Sequence, residues 1–226
     1  MPQSGIKVDE TPSLREQVVR ELRPQIVAGR AGADTIYTVP GVAGRLGIST
    51  TPVREALLEL TRAGLLEPMR NRGFRVVEHT LDDLDNLFEL RELLEVEAAD
   101  RVAAQRSPKV NALRPLAEAV RAAVAESDVQ AYLETDRAFH TAFVDLAGNP
   151  RLTELVLSLR DNMRLYGIDT PAGVARQQAS VDEHFRMIDL AAAGDRDAIR
   201  PLMRQHIVTW RPVFAAALEA REQQRR

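Results

Sequence analysis

Four side chains in the second half of the chain have residue types and spacing that could hold a metal ion. Asp136 and His140 are four positions apart, so on a helix they would project from one face and could bind the same ion. His184 and His206 come from two later segments. One carboxylate and three imidazoles suit Zn²⁺, Mn²⁺, Ni²⁺ or Fe²⁺, and ligand type alone does not choose among them.

Spacing alone leaves a second interpretation of these histidines open. A histidine in a helical protein is more often a hydrogen-bonded packing residue than a metal ligand. The 226-residue chain contains no cysteine, which excludes disulfides, thiolate ligands and cysteine nucleophiles. Any metal site must therefore rest on histidine and carboxylate. The remaining histidine, His79, is expected to be a solvated linker residue.

A second group of candidate residues is hydroxylic and basic and lies in the first third of the chain. Ser49, Thr50 and Thr51 precede Arg54 at the start of a predicted helix, and a later polar loop carries Arg70, Arg72 and Arg75 with no acid among residues 68–77. A helix that enters the major groove of DNA presents such N-terminal residues to base edges. An arginine-rich loop can reach the phosphate backbone.

The elements predicted around these arginines follow the order of a winged helix-turn-helix. Helices are expected over 14–28, 40–46 and 51–63, followed by a hairpin of Leu65–Glu67 and Phe74–Val77. Ser13 and Glu16 form a capping-box pattern before the first helix. Pro24 lies within that helix and predicts a kink or an early end.

The rest of the chain predicts an antiparallel bundle of six to seven helices, so the fold class is mainly α. Aromatic residues make up only 4% of the sequence, which favours packed helices over sheets. Helices are expected over 80–105, 109–126, 128–147, 150–168, 174–193 and 195–222. The expected domains are 1–79 and 80–226. The net charge of −3 divides into +2 and −5 between them, so the acidic average conceals a basic first domain.

Nothing in the sequence predicts contact with a membrane. No run of about 18 apolar residues occurs. Met1–Glu10 is polar and lacks the apolar core of a signal peptide. We therefore expect a cytoplasmic location.

The first domain resembles the DNA-binding domain of GntR-type bacterial transcription regulators over residues 13–77. The resemblance rests on the run Thr-Pro-Val-Arg-Glu-Ala-Leu at 51–57, then Gly64-Leu65-Leu66 and Asn71-Arg72-Gly73. It implies that a double-stranded operator is contacted by Ser49, Thr50, Thr51, Arg54, Arg72 and Gly73, the last near the minor groove. The family usually has arginine where Thr50 stands and a polar residue where Val39-Pro40-Gly41 precedes the second helix. An arginine that could read guanine is therefore missing.

The second domain resembles the FCD-type effector domain of the FadR branch of that family, over about residues 81–218. The resemblance rests on Asp136-Arg137-Ala138-Phe139-His140, Gly148-Asn149-Pro150, Glu183-His184-Phe185-Arg186-Met187-Ile188, Gly194-Asp195 and His206. It implies a divalent metal, zinc first, with nickel, manganese or iron as alternatives, bound by Asp136, His140, His184 and His206.

The same resemblance places an effector pocket beside this metal site. Arg91 would capture the carboxylate of a small effector; an intrahelical pair with Glu95 is the alternative. Asn162 and Arg164 are expected on the helix across the pocket, with Asn162 as the candidate contact. Trp210, the only tryptophan, is expected to pack in the core on the helix that carries His206.

These expectations together describe a ligand-responsive transcription regulator, a repressor that binds a palindromic operator as a homodimer. Two alternatives stay open at this point. One is a metal-dependent hydrolase, although four protein ligands leave less open coordination than catalytic zinc sites have. The other is a constitutive DNA-binding protein whose bundle only dimerises.

Overall fold

The computed structural model describes residues 12–32, 34–163 and 166–224. The sequence-based expectations for Met1–Glu10 and Arg164 lie outside these ranges. The first unit contains three helices and three short strands: α1 (Leu14–Val27), β1 (Ile36–Tyr37), α2 (Val39–Leu46), α3 (Thr50–Arg62), β2 (Leu66–Met69) and β3 (Gly73–Val76).

Local hydrogen bonds explain where α1 begins. The Ser13 hydroxyl accepts from the backbone N–H of Glu16 at 3.3 Å, and the Glu16 carboxylate accepts from the Ser13 N–H at 2.9 Å. This is the predicted capping box. The helix continues past Pro24 to Val27, so the proline does not end it early.

The strands form an antiparallel sheet in the order β1-β3-β2. β2 and β3 are the predicted hairpin, whereas the two-residue β1 was not predicted. It pairs Tyr37 with Phe74. Gly73 has φ 118°, and a Cβ at this position would lie 2.5 Å from the Tyr37 carbonyl oxygen. The close approach of β1 therefore requires glycine here.

The second unit is an all-helical bundle. Its elements are α4 (Leu81–Gln105), a 3₁₀ helix (Pro108–Leu113), α5 (Arg114–Ala125), α6 (Val129–Asp145), α7 (Pro150–Asn162), α8 (Pro171–Ala193), α9 (Arg196–Val208) and α10 (Arg211–Gln224). Each unit has its own hydrophobic core. The mainly α fold, with a winged helix-turn-helix before a helical bundle, is confirmed.

Three helix predictions in the bundle were wrong. The helix expected over 109–126 begins as the 3₁₀ helix Pro108–Leu113 and is an α-helix only from Arg114. The helix expected over 150–168 ends at Asn162, because Met163 adopts an extended conformation. The helix expected over 195–222 is divided, since α9 ends at Val208 and α10 begins at Arg211. Pro212 in the first turn of α10 has no backbone N–H to continue the earlier helix. Trp210 is therefore in the connection between α9 and α10 rather than on the helix of His206.

The two units contact each other through α1 and the segment that follows it. Arg23 on α1 forms an ion pair with Asp161 on α7 at 3.0 Å. Arg221 on α10 donates to the Gly29 carbonyl at 2.7 Å, and its guanidinium lies 4.8 Å from the centre of the Tyr166 ring. One face of α1 thus lies against the bundle. Within the described ranges, none of the helices is both long and apolar enough to cross a membrane.

Candidate metal centre and nucleic-acid interface

Three buried histidines from three different helices bring their Nε2 atoms together. His140 on α6 lies with its Nε2 3.1 Å from that of His184 on α8 and 3.2 Å from that of His206 on α9. Asp136, one turn before His140, has its Oδ1 3.7 Å from His140 Nε2 and 3.5 Å from His184 Nε2. The four residues predicted as metal ligands are therefore close together.

These separations fit a single first-row metal ion. Ligands about 2.1 Å from an ion are about 3.0 Å apart at adjacent octahedral positions and about 3.4 Å apart in a tetrahedron. The Nε2 separations of 3.1 and 3.2 Å from His140 lie within this range, and Asp136 Oδ1, at 3.5 and 3.7 Å, lies slightly beyond it. Three imidazoles and a carboxylate are also a donor set that borderline divalent ions accept. The residues present therefore fit a divalent metal.

A carboxylate on α8 orients one of the three imidazoles. Glu183 Oε2 lies 2.7 Å from His206 Nδ1, and both side chains are buried. When Nδ1 donates this hydrogen bond, the lone pair of His206 is on Nε2, the atom that faces the other histidines. Glu183 also pairs with Arg176. Sequence reasoning did not assign a role to Glu183, although it directly precedes His184.

Burial keeps the histidines neutral. It lowers the pKa of His140 and of His184 well below the ordinary value, and Arg160 lowers both further. Burial also lowers the pKa of His206, although the Glu183 carboxylate opposes this effect. The Phe139 ring lies 4.2 Å from the His184 ring and restrains its orientation. Neutral imidazoles are the form that binds metal.

A partly buried chain of ion pairs links the candidate centre to α4. Arg160 on α7 donates to Asp136 Oδ2 and to Glu95 Oε2, each at 2.8 Å. Glu95 accepts in turn from Arg91 Nε at 2.6 Å. Burial works against the charge of Glu95, but Arg91 and Arg160 hold its pKa below the ordinary value. Arg160 was missed by sequence reasoning because its partners lie on other helices.

Arg91 forms the intrahelical pair with Glu95 that was the alternative to a pocket role, and it also lines a cavity. This cavity, of about 130 Å³, adjoins the candidate centre. Arg91 Nη1 faces the Met163 sulfur at 2.8 Å, and a thioether is a weak acceptor. The residues that line the cavity come from α1 and the bundle: Arg23, Pro24, Val27, Arg91, Tyr132, Leu133, Glu134, Asp136, Arg137, Arg160, Asp161, Met163, Ile168, His206, Trp210 and Phe214.

Two expectations for single residues need correction. Asn162 is not among the residues that line this cavity. Its side chain lies at the contact between the units, where a Cβ on Gly64 would be 2.7 Å from Asn162 Oδ1. The difference arises because α7 ends at this residue. His79 is half-buried rather than solvated, since it directly precedes the cap of α4.

The side chains predicted to contact DNA are exposed. Ser49, Thr50 and Thr51 lie at the start of α3, followed by Arg54 one turn later. In the described part of the chain Arg54 has no ion-pair partner, and Glu59, a possible partner on the same helix, pairs with Arg15 instead.

The loop between β2 and β3 continues this exposed surface. Arg70 and Arg72 are exposed there and form no ion pair among the described residues. Arg75, on β3, is paired with Glu67 across the hairpin at 2.8 Å. Arg70 and Arg72 therefore offer the uncompensated positive charge that a phosphate backbone attracts.

Comparison with known proteins gives matches over both units. The family model for bacterial regulatory proteins of the gntR family matches residues 14–76, and the FCD domain model matches residues 86–209. The Nta operon transcriptional regulator of Aminobacter aminovorans is 33% identical over 172 residues, which are 74% of this chain and 78% of the relative. A probable D-xylose utilization operon transcriptional repressor of Paenarthrobacter nicotinovorans is 28% identical over 196 residues, 84% of each chain. The solved structure of E. coli McbR/YncC shares the fold, with a TM-score of 0.71 at 23% identity over 96% of this chain and 100% of that one.

Proposed function

Because this chain belongs to the GntR family of bacterial transcription regulators and carries an FCD domain, we propose that it is a metal-dependent repressor that senses a small carboxylate. Its relatives are transcription regulators and not enzymes, so the hydrolase alternative is discarded. The proposed partners are a palindromic operator and a second copy of the chain. A protein with these partners acts in the bacterial cytoplasm, where the operator is.

The observation that carries the proposal is that candidate metal ligands and Arg91 line the same cavity. Asp136, His206 and Arg91 all line the cavity. A divalent ion held by the histidines and Asp136 would supply a positive charge that attracts a carboxylate. Among the described residues, Arg91 Nη1 has only the Met163 sulfur as acceptor. A carboxylate is a far better acceptor, so it would displace the thioether from Arg91.

The charged network behind Arg91 would hold the arginine in place for this role. Glu95 fixes Arg91 Nε, and Arg160 joins Glu95 to the candidate ligand Asp136. Arg91 and Glu95 are only 5% and 0% exposed. An arginine that is already fixed in position loses little conformational freedom when a ligand binds.

Exposed leucines support a dimer formed through the bundle. Leu90 and Leu93 on α4 and Leu155 on α7 are 46%, 63% and 57% exposed, and α4 packs against α7. Large apolar side chains on neighbouring helices are a common feature of interfaces. A two-fold dimer would present two copies of α3 to the two half-sites of a palindrome.

The direction of regulation is proposed from the description of one relative and from the thermodynamic linkage between effector binding and DNA binding. The Paenarthrobacter nicotinovorans relative is described as a probable repressor. We propose that the carboxylate favours a dimer arrangement in which the α3 helices no longer match the half-sites. Effector affinity must then be lower for the DNA-bound protein than for the free protein.

Metal analysis and operator binding test the proposal together. We expect purified protein to contain a divalent metal, and we expect chelation to lower its melting temperature. Chelation should also abolish the response of operator binding to carboxylates. If the protein contains no metal and chelation changes neither melting nor operator binding, the metal-dependent reading fails. The alternative of a constitutive DNA-binding protein with packing histidines then stands.

A further inference from the structure

The cavity beside the candidate metal centre is lined by both charged and apolar side chains. The charged ones include Arg91, Arg160 and Asp136, and also Arg23, Glu134, Arg137 and Asp161. The apolar ones include Val27, Leu133, Met163, Ile168, Trp210 and Phe214, and most of the accessible surface of the cavity is apolar. Trp210 and Phe214 are stacked, with ring centres 5.2 Å apart and planes 18° from parallel. A flat aromatic wall of this kind suits an apolar ligand body rather than a hydroxylated one.

Three charged residues of the cavity wall are already paired with one another. Asp161 accepts from Nε and Nη2 of Arg137 at 2.8 and 3.0 Å and also pairs with Arg23. Hydroxyl groups on a ligand would have to compete with these pairs or be buried without partners. Each unpaired buried hydroxyl reduces affinity. The cavity therefore disfavours sugar acids.

The cavity is partly open to solvent, and its interior has room for an apolar body of about one ring. Its volume is about 130 Å³. An apolar protein cavity of about 150 Å³ is large enough to bind benzene. A long acyl chain would need more space than this.

Helix α1 of the DNA-binding unit supplies part of the wall. Pro24 and Val27 line the cavity together with residues of the bundle, and Arg23 beside them is the residue paired with Asp161. A ligand body in this cavity would therefore contact both units of the same chain.

We propose that the effector is a carboxylate with a compact, apolar, ring-sized body, and that this body packs against α1 of the DNA-binding unit. The inference rests on the proposed function, because it assumes that the cavity binds the effector. It adds the chemical class of the ligand. It also adds a contact with α1, through which the shape of the ligand would affect the DNA-binding unit.

Four probe compounds test the ligand class on the zinc-saturated full-length protein. Benzoate has both the carboxylate charge and an apolar ring, and benzamide has the ring without the charge. Gluconate has the charge and a hydroxylated chain in place of the ring, and acetate has the charge with only a methyl group. Trp210 is the only tryptophan and lines the cavity, so its fluorescence reports binding directly. We expect saturable binding of benzoate, with benzamide and gluconate weaker by roughly tenfold or more.

The outcomes separate this inference from the proposed function. If gluconate or acetate binds at least as tightly as benzoate, the effector does not have an apolar, ring-sized body. The proposal that the protein senses a carboxylate is unaffected by that result. If none of the four compounds changes Trp210 fluorescence or the melting temperature while zinc is retained, the cavity is not a carboxylate site, and both proposals fail.

Substitutions on α1 test the contact with the DNA-binding unit. Val27→Ala removes two carbons from the wall and should weaken benzoate binding by roughly tenfold, while acetate binding stays the same. Val19→Ala is the matched control, because Val19 is on the same helix and packs in the core of the first unit without lining the cavity. Pro24→Ala provides a second cavity variant should Val27→Ala not fold.

Leu133→Ala gives the comparison on the bundle side of the cavity. If Leu133→Ala weakens benzoate binding while the folded α1 variants bind it as the parent does, the ligand does not reach α1 and the inference is wrong. If the α1 variants and Leu133→Ala all weaken benzoate and Val19→Ala does not, the ligand lies between the two units.

Discussion

Replacing Glu183 by glutamine should weaken metal binding without removing a metal ligand. Glu183 Oε2 accepts from His206 Nδ1 at 2.7 Å, with side chains 9% and 2% exposed, so solvent screens this interaction little. The carboxylate selects the tautomer with its lone pair on Nε2 and makes the imidazole more basic. Glutamine keeps an oxygen acceptor but loses the charge.

The expected loss is about tenfold to a hundredfold in zinc affinity, which is the usual cost of changing a group that orients a metal-bound histidine. This corresponds to about 1.4 to 2.7 kcal/mol. The same substitution also deprives buried Arg176 of its ion-pair partner, so the free energy of unfolding of the metal-free protein should fall as well.

Zinc affinity is measured by competition with a chelator of known affinity at fixed pH, and folding is followed by thermal melting. Glu97→Gln is the matched control, because the Glu97 side chain is 45% exposed and its ion-pair partners in the described part of the chain are the surface residues Arg101 and Arg200. Arg176→Gln should lower stability yet retain most of the zinc affinity. If folded Glu183→Gln binds zinc as tightly as the parent, Glu183 serves only Arg176, and the reasoning about His206 is refuted.

The remaining predictions concern DNA binding, effector response and pH. Arg54→Ala should weaken operator binding by roughly 1–3 kcal/mol if the side chain reads a base, and an unchanged gel-shift titration would remove it from the DNA-contacting set. Arg91→Ala should abolish the effect of carboxylates on operator binding while DNA binding without effector persists; a normal response would show that the pocket is elsewhere. The pKa values of His140 and His184 lie well below 6.5 in the folded protein, so the unfolded chain takes up protons first as pH falls. Above about pH 6.5 the free energy of unfolding of the metal-free protein should therefore be constant with respect to these histidines. Below that pH it should fall by up to about 1.4 kcal/mol per pH unit for each histidine, as measured by urea unfolding across pH. A flat profile would mean that folding does not lower the pKa values of these histidines.

Local sequence patterns were sufficient where near neighbours decide the structure. Ser13 and Glu16 cap α1 as predicted, and the spacing of Asp136 and His140 placed them on one face of α6. Patterns failed where a helix ends without a local sequence signal, as at Asn162. They also could not choose between two roles for Arg91, which pairs with Glu95 on its own helix and lines the cavity as well.

The sequence by itself determined the two units, the candidate metal ligands and the exposed residues at the start of α3, because hydrophobic periodicity, caps and residue chemistry act over a few positions. Only the tertiary structure decided which polar groups meet. Arg160 reaches Glu95 across 65 positions, and Glu183 reaches His206 across 23. The contact of α1 with the cavity likewise depends on how the two units pack. Such contacts follow from the packing of helices against one another, which no local pattern records.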